Sequence, residues 1–240
     1  MLEINRVLFL LIIITTSSLF TRARLTKYFI VQAVSSIVLL IGVIYWPQTG
    51  AGPLAAQASI VVKLGAIPGH MWYVSIIQDL SWVNIFILST MQKILPLIGL
   101  IVLTPQYIII TLFALSATAA FLATMSSTLK RLIGYSGILN VSWLIAGSWS
   151  WASFRLFFLL YFFRIGALSL HLSISGKGLI FDSKSALSYT EALAITGILF
   201  RLAGLPPFFG FWGKLVILKL MLTRAFPISI FTYYIAITRA

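Results

Sequence analysis

The chain has 240 residues, of which 60% are hydrophobic and 9% charged. Its net charge is +13, from 17 Lys+Arg against 4 Asp+Glu, it contains no cysteine, and its mean hydropathy is +1.07. This profile excludes a soluble globular domain, a disulfide-stapled scaffold and any thiolate metal site or Cys-ligated iron–sulfur cluster, leaving an integral membrane protein.

Hydrophobic run length and Gly/Pro punctuation predict about ten helices in one all-α transmembrane domain over 1–240, covering 2–20, 27–46, 53–77, 83–103, 107–126, 133–151, 153–172, 187–203, 207–223 and 227–239. The alternating strands of an outer-membrane barrel are absent, so helices must satisfy the backbone in lipid. The first run is too long for a signal peptide and leads into another span. The one extended polar stretch, 173–186, reads as a loop or short linker.

Loops after odd-numbered spans carry Arg22, Arg24 and Lys27, then Lys130 and Arg131, then Lys177 and Lys184, then Arg224. Loops after even-numbered spans carry little beyond Arg155 and Arg201. That asymmetry places the odd loops in the cytoplasm of a bacterium or the matrix of a mitochondrion. It also accounts for the positive charge without nucleic acid.

Lysines occur in three of the apolar runs: Lys63 in IVVKLGAIPGH, Lys93 in STMQKILPLIG and Lys214 in LPPFFGFWGKLVI. Each lies beside helix breakers. Pro68 cannot donate to the Leu64 carbonyl and Gly65 loosens the same turn, so the third span is expected to break one turn after Lys63. Its exposed carbonyl end would favour a cation. Pro96 likewise frees the carbonyl of Gln92 beside Lys93. Pro206, Pro207, Gly210 and Gly213 precede Lys214 and interrupt the ninth span between Pro206 and Gly213. Interrupted spans in separate parts of a chain point to a transport site. A lysine at such a place can take up and release a proton, as a relay requires. The plainer alternatives are snorkelling or one structural ion pair.

The four acids are Glu3, Asp79, Asp182 and Glu191. Asp182 reads as solvated, Asp79 as interfacial and Glu191 as a helix-start acid. Glu3 could be a first-turn acid or a functional partner. His70, two residues past Pro68, could carry protons between Lys63 and Lys93, or simply bond across helices. His70 and His171 are too few and too far apart to indicate a metal or haem centre. Arg164 and Arg201 titrate too high to relay protons and read as structural or headgroup contacts. Most of the seven tryptophans fall near predicted span ends, as in an aromatic belt.

Five segments, in order, resemble one family. LTKYFIVQAVSS (25–36), KLGAIPGHMW (63–72), QKILP (92–96), LKRLIGYSGILNVSW (129–143) and LAGLPPFFGFWGKLVI (202–217) resemble motifs of the subunit 2 family of NADH:ubiquinone oxidoreductase (respiratory complex I), an antiporter-like membrane subunit. LEIN at 2–5 resembles the family's F-E-M-N, whose glutamate pairs with the lysine matched by Lys63. The resemblance implies a relay of Glu3 and Lys63 as a coupled pair, Lys93 at the centre, Lys214 near the distal exit and His70 on the axis. It implies no redox chemistry on this chain. NADH, FMN, iron–sulfur clusters and ubiquinone would belong to partner subunits.

The implied setting is the mitochondrial inner membrane, among other membrane-arm subunits and phospholipids. The domain reads as shortened at both ends relative to the family, with a further polypeptide or lipid expected over the N-terminus. Asn140 stands where the family carries a histidine, and Arg201 where a small polar residue is usual. A stand-alone cation/proton antiporter and an assembly-only subunit are the competing readings.

Overall fold

A computed structural model describes residues 19–45, 51–103, 118–119, 121–123, 125–126, 128–148, 150–175 and 211–221, with Val7 and Gly197 singly. Regular structure among the described residues is helical throughout. The principal helices are α1 (Leu19–Ile44), α2 (Ala51–Leu64), α3 (Met71–Ile77), α4 (Trp82–Ser89), α5 (Met91–Leu103), α6 (Leu129–Gly147) and α7 (Trp151–Ser175). A further helical segment covers 211–221. Thr26–Ile44, Trp82–Leu103 and Trp151–Ile174 are long and apolar enough to cross a membrane. The spans expected over 2–20, 107–126, 187–203 and 227–239 lie wholly or largely outside the described residues.

Helix α1 shows how these helices pack. Tyr28, Gln32, Ser35 and Gly42 are buried and Leu39 packs on the core, a one-face spacing. Ile30, Val34, Ile37, Ile41 and Ile44 face outward, the side that lipid covers in a bilayer. The inward face is small and polar because lipid tails are as apolar as leucine, so close approach and hydrogen bonds must join helices. A Cβ at Gly42 would lie 2.7 Å from the Ala56 nitrogen and 2.9 Å from the Gly52 carbonyl oxygen, so α1 and α2 touch backbone to backbone. Helix α1 begins at Leu19, earlier than the run from 27 suggested, and takes in Arg22, Arg24 and Lys27. Those residues were expected in a loop. The polar turns extend the helix beyond the apolar span because nothing in them stops it.

The expected break after Lys63 is present, and Gly65 makes it. Gly65 has φ +65°. Its N–H donates to the Val62 carbonyl at 3.0 Å, and the Ala66 N–H donates to the Val61 carbonyl at 3.1 Å. This paired closure about a left-handed glycine is the Schellman ending. The chain then turns through Pro68 and restarts as α3, with His70 as its N-terminal cap residue.

The second discontinuity corrects the expectation for Pro96. That residue lies inside α5, and the chain breaks upstream, at Thr90 between α4 and α5. Thr90 adopts φ −113° and ψ −72°. A proline ring crowds the carbonyl four residues back, here Gln92. The break falls two residues earlier still, where side chains bond back onto the preceding turn: the Ser89 Oγ donates to the Ile85 carbonyl, and the Thr90 Oγ1 joins its own backbone N–H on the Phe86 carbonyl.

Helix α6 is the central element. It is buried nearly all round from Ile133 to Gly147 and contacts α3, α5 and α7. Helices α1 and α2 pack together, α2 on α5, and α4 on α7. Lys130 and Arg131, expected in a loop, lie in the first turn of α6 behind Thr128, whose side chain accepts from the Arg131 N–H. Lys130 also ties two elements together. Its Nζ donates to the Gln78 and Leu80 carbonyls at 3.1 and 2.9 Å, beyond the end of α3. A cation there satisfies carbonyls that the helix leaves over. Lys130 lies outside the predicted 133–151 span. Burial holds its ammonium below the ordinary lysine range, while nearby Asp79 pulls it the other way.

Candidate functional site

Three lysines of the expected relay are among the described residues: Lys63 on α2, Lys93 on α5 and Lys214 in the 211–221 segment. Lys63 is buried in the last turn of α2. The carbonyls at that helix end do not stand open, contrary to expectation. The Lys63 carbonyl accepts from the Gln32 Nε2 of α1 at 3.3 Å, and the Val62 carbonyl accepts from the Trp72 indole at 2.9 Å. Trp72 in turn lies 5.6 Å, ring to ring, from Tyr28. Gln32 and Trp72 therefore occupy two carbonyls of the α2 terminus. Trp72 and Trp82 are buried rather than placed in an interfacial belt, whereas Trp151 and Trp212 are exposed.

Lys93 is the most buried charged residue among the described ones, 4% exposed. Its Nζ lies 4.0 Å from the centroid of the Tyr73 ring, within cation–π range. Among the described residues neither the Lys93 ammonium nor the Tyr73 hydroxyl has a hydrogen-bond partner. The first turns of α3 and α5 carry the two groups. The Tyr161 hydroxyl of α7 donates to the Ser89 carbonyl at 3.2 Å, at the α4–α5 break. A Cβ at Gly137 of α6 would meet the Tyr73 hydroxyl at 2.9 Å and the Tyr161 hydroxyl at 3.6 Å. Glycine is what admits both phenols.

Lys214 lies farther along. Its Nζ is 5.7 Å from the Trp143 ring of α6, and Arg164 of α7 is within electrostatic reach. Gly213 lets the 211–221 segment sit close to Phe157, which an added Cβ would approach to 3.0 Å. The six residues from Gly137 to Trp143 span about 9 Å along α6, so that helix runs between the surroundings of Lys93 and those of Lys214.

His70 is half-buried and caps the start of α3. Its Nδ1 lies 3.3 Å from the Pro68 carbonyl oxygen, and its ring is 6.2 Å from that of Tyr135. Asn140 is buried one turn from Gly137 and donates to the Ser136 carbonyl. Glu3, Pro206, Pro207 and Gly210 lie outside the described residues.

Sequence reasoning missed Tyr73, Tyr161, Gln32 and Lys130. For Tyr73 a weak signal existed, a phenol directly after the break. Tyr161 offered none, because only the packing of α7 on α4 and α6 brings it in. Among the described residues no group of His, Cys, Asp or Glu side chains could hold a metal ion.

A family model described as NADH:quinone oxidoreductase/Mrp antiporter, TM, matches residues 46–238. The NADH-ubiquinone oxidoreductase chain 2 of Lumbricus terrestris is 30% identical, over 92% of this chain and 70% of its own length. That of Artemia franciscana is also 30% identical, over 91% and 71%. A chain of the solved respiratory complex I from Thermus thermophilus with bound aureothin has a TM-score of 0.67 at 19% identity. The match covers 81% of this chain and 51% of that one, and shows a shared fold.

Proposed function

We infer the function from the family to which this chain belongs, that of NADH-ubiquinone oxidoreductase chain 2: it serves as a proton-translocating membrane subunit of respiratory complex I in the mitochondrial inner membrane. The complex as a whole carries out NADH:ubiquinone oxidoreduction. NADH, FMN, the iron–sulfur clusters and ubiquinone belong to partner subunits, and this chain has no cysteine with which to hold a cluster. Its partners are the other membrane-arm subunits and phospholipids, and the loops after odd-numbered spans face the matrix.

Protons pass along Glu3, Lys63, Lys93 and Lys214, with His70 beside the axis. Glu3 and Lys63 form a charge-coupled pair. A change in their separation, driven by redox chemistry elsewhere in the complex, pushes a proton from Lys63 toward Lys93, because a nearby carboxylate favours the charged lysine. Lys214 passes it on toward the far side.

The observation that carries the reading is Lys93. A charge at membrane depth is costly and by default functional. This one is buried without a hydrogen-bond partner among the described residues, a poor arrangement for stability alone.

The test is Lys93→Met in intact complex I reconstituted into sealed vesicles. Assembly is expected to survive, while proton uptake coupled to NADH oxidation falls by about a hundredfold, the scale of a lost proton-transfer group. Normal pumping in that variant refutes the assignment.

A further inference from the structure

We propose that the Tyr73 hydroxyl, backed by the Tyr161 hydroxyl, is the station that takes protons from Lys93 toward α6. The inference rests on the proton-relay reading above and adds residues that the lysine row does not contain.

The groups are placed for it. The Lys93 ammonium sits over the Tyr73 ring at 4.0 Å. The Tyr73 hydroxyl at the far edge of that ring is buried and has no hydrogen-bond partner among the described residues. The Tyr161 hydroxyl converges on the same point, the empty Cβ position of Gly137. Each phenol side chain is 1% exposed. Packing does not explain the Tyr73 oxygen, since phenylalanine would present the same ring to Lys93 and strand no polar atom. Asn140, one turn along α6, spends an amide N–H on the Ser136 carbonyl and has no hydroxyl to take one proton while releasing another, so it cannot take this part.

The chemistry balances without a charged tyrosine. A phenol is both donor and acceptor. One water bridges the ammonium to the Tyr73 oxygen, which the ammonium, lying over the ring face, does not bond directly. The Lys93 N–H bond breaks and its proton goes to the water. The water releases another proton to a lone pair of the Tyr73 oxygen. That oxygen gives up its original proton to a second water on the α6 side, which the Tyr161 oxygen holds as an acceptor while its own O–H stays on the Ser89 carbonyl, and the proton leaves on that water. Lys93 is left neutral, both phenols are unchanged, and one proton has moved. Gly137 keeps the exit side open, because a side chain there would meet the hydroxyl at 2.9 Å.

The experiment compares Tyr73→Phe, Tyr161→Phe and Lys93→Met in intact complex I in sealed vesicles. Proton uptake and NADH oxidation are both normalised to assembled complex, so a change in assembly does not mask the result. Tyr73→Phe keeps the ring under Lys93 and removes only the hydroxyl. Coupled proton uptake is expected to fall about tenfold, less than for a general acid–base group because water can fill the vacated place. The solvent deuterium isotope effect on turnover should rise, a change that a purely structural role would not produce. Tyr161→Phe should give a smaller loss of the same kind.

Normal uptake and an unchanged isotope effect in Tyr73→Phe, with Lys93→Met inactive, overturn the tyrosine station and leave the lysine row standing. Normal uptake in Lys93→Met overturns the row itself.

Discussion

Replacing Gly65 by alanine tests how the broken helix and the buried lysine are connected. Gly65 has φ +65°, and a side chain in that left-handed region costs about 1–2 kcal/mol. The new methyl would also lie 2.7 Å from the Tyr73 Cβ and 3.0 Å from its Cγ. Those atoms are the stem of the side chain, so Tyr73 cannot swing away without moving α3. Forcing a methyl into a filled site costs about 1–3 kcal/mol. Together the expected loss is roughly 2–5 kcal/mol, a large part of the roughly 5–15 kcal/mol that holds a domain folded.

Gly99→Ala is the matched control. Among the described residues a Cβ there meets only the Ile60 Cδ1, at an ordinary 3.6 Å, and a helix-interior alanine gains about 0.5–1 kcal/mol over glycine. The assay is the amount of assembled complex on native gels, with the temperature at which its NADH:ubiquinone activity is lost. Gly65→Ala should lower both measures and Gly99→Ala neither. If Gly65→Ala assembles fully and inactivates at the wild-type temperature, the account of the break is wrong.

Two further substitutions probe the frame around the site. Lys130→Met removes the ammonium bonds to the Gln78 and Leu80 carbonyls and should cost about 1–3 kcal/mol after allowing for partial exposure; faster hydrogen exchange of the 78–82 amides would report it, and unchanged exchange would remove Lys130 from that role. Gly42→Leu drives a side chain into the backbone of Gly52 and Ala56. Neither can retreat within α2, so the variant should fail to accumulate in assembled complex, and normal accumulation would show that α1 and α2 need not touch there.

The sequence made some of this arrangement legible because the causes were local. Gly65 and Pro68 marked the end of α2, since the chemistry that ends a helix lies within a few residues of the ending. Pro96 marked a disturbance in the next span but placed it wrongly. A proline acts on the carbonyl four residues back, here Gln92, whereas the helix ends two residues before that, at Thr90. Lys130 looked like an orientation charge because composition cannot tell a cation facing water from one folded onto Gln78 and Leu80. Tyr161 is 88 positions from Tyr73 and 68 from Lys93 (161 − 73 and 161 − 93). Only the stacking of α7 on α4 and α6 makes them neighbours, and no spacing in the chain encodes that.

The two helix breaks meet at one charge. The first is built by Gly65, whose missing Cβ leaves room for the Tyr73 stem, and the Tyr73 ring lies under the Lys93 ammonium. The second falls at Thr90, three residues before Lys93, and its Ser89 carbonyl receives the Tyr161 hydroxyl. Gly137 on α6 has no side chain and so receives both phenols. A shift at the first break therefore moves the face that holds the ammonium, and a shift at the second moves the backbone that carries it. Interhelical contacts in lipid rest on close approach and polar pairing, and here both devices are concentrated where they enclose Lys93. Two helix breaks therefore meet at one enclosed charge.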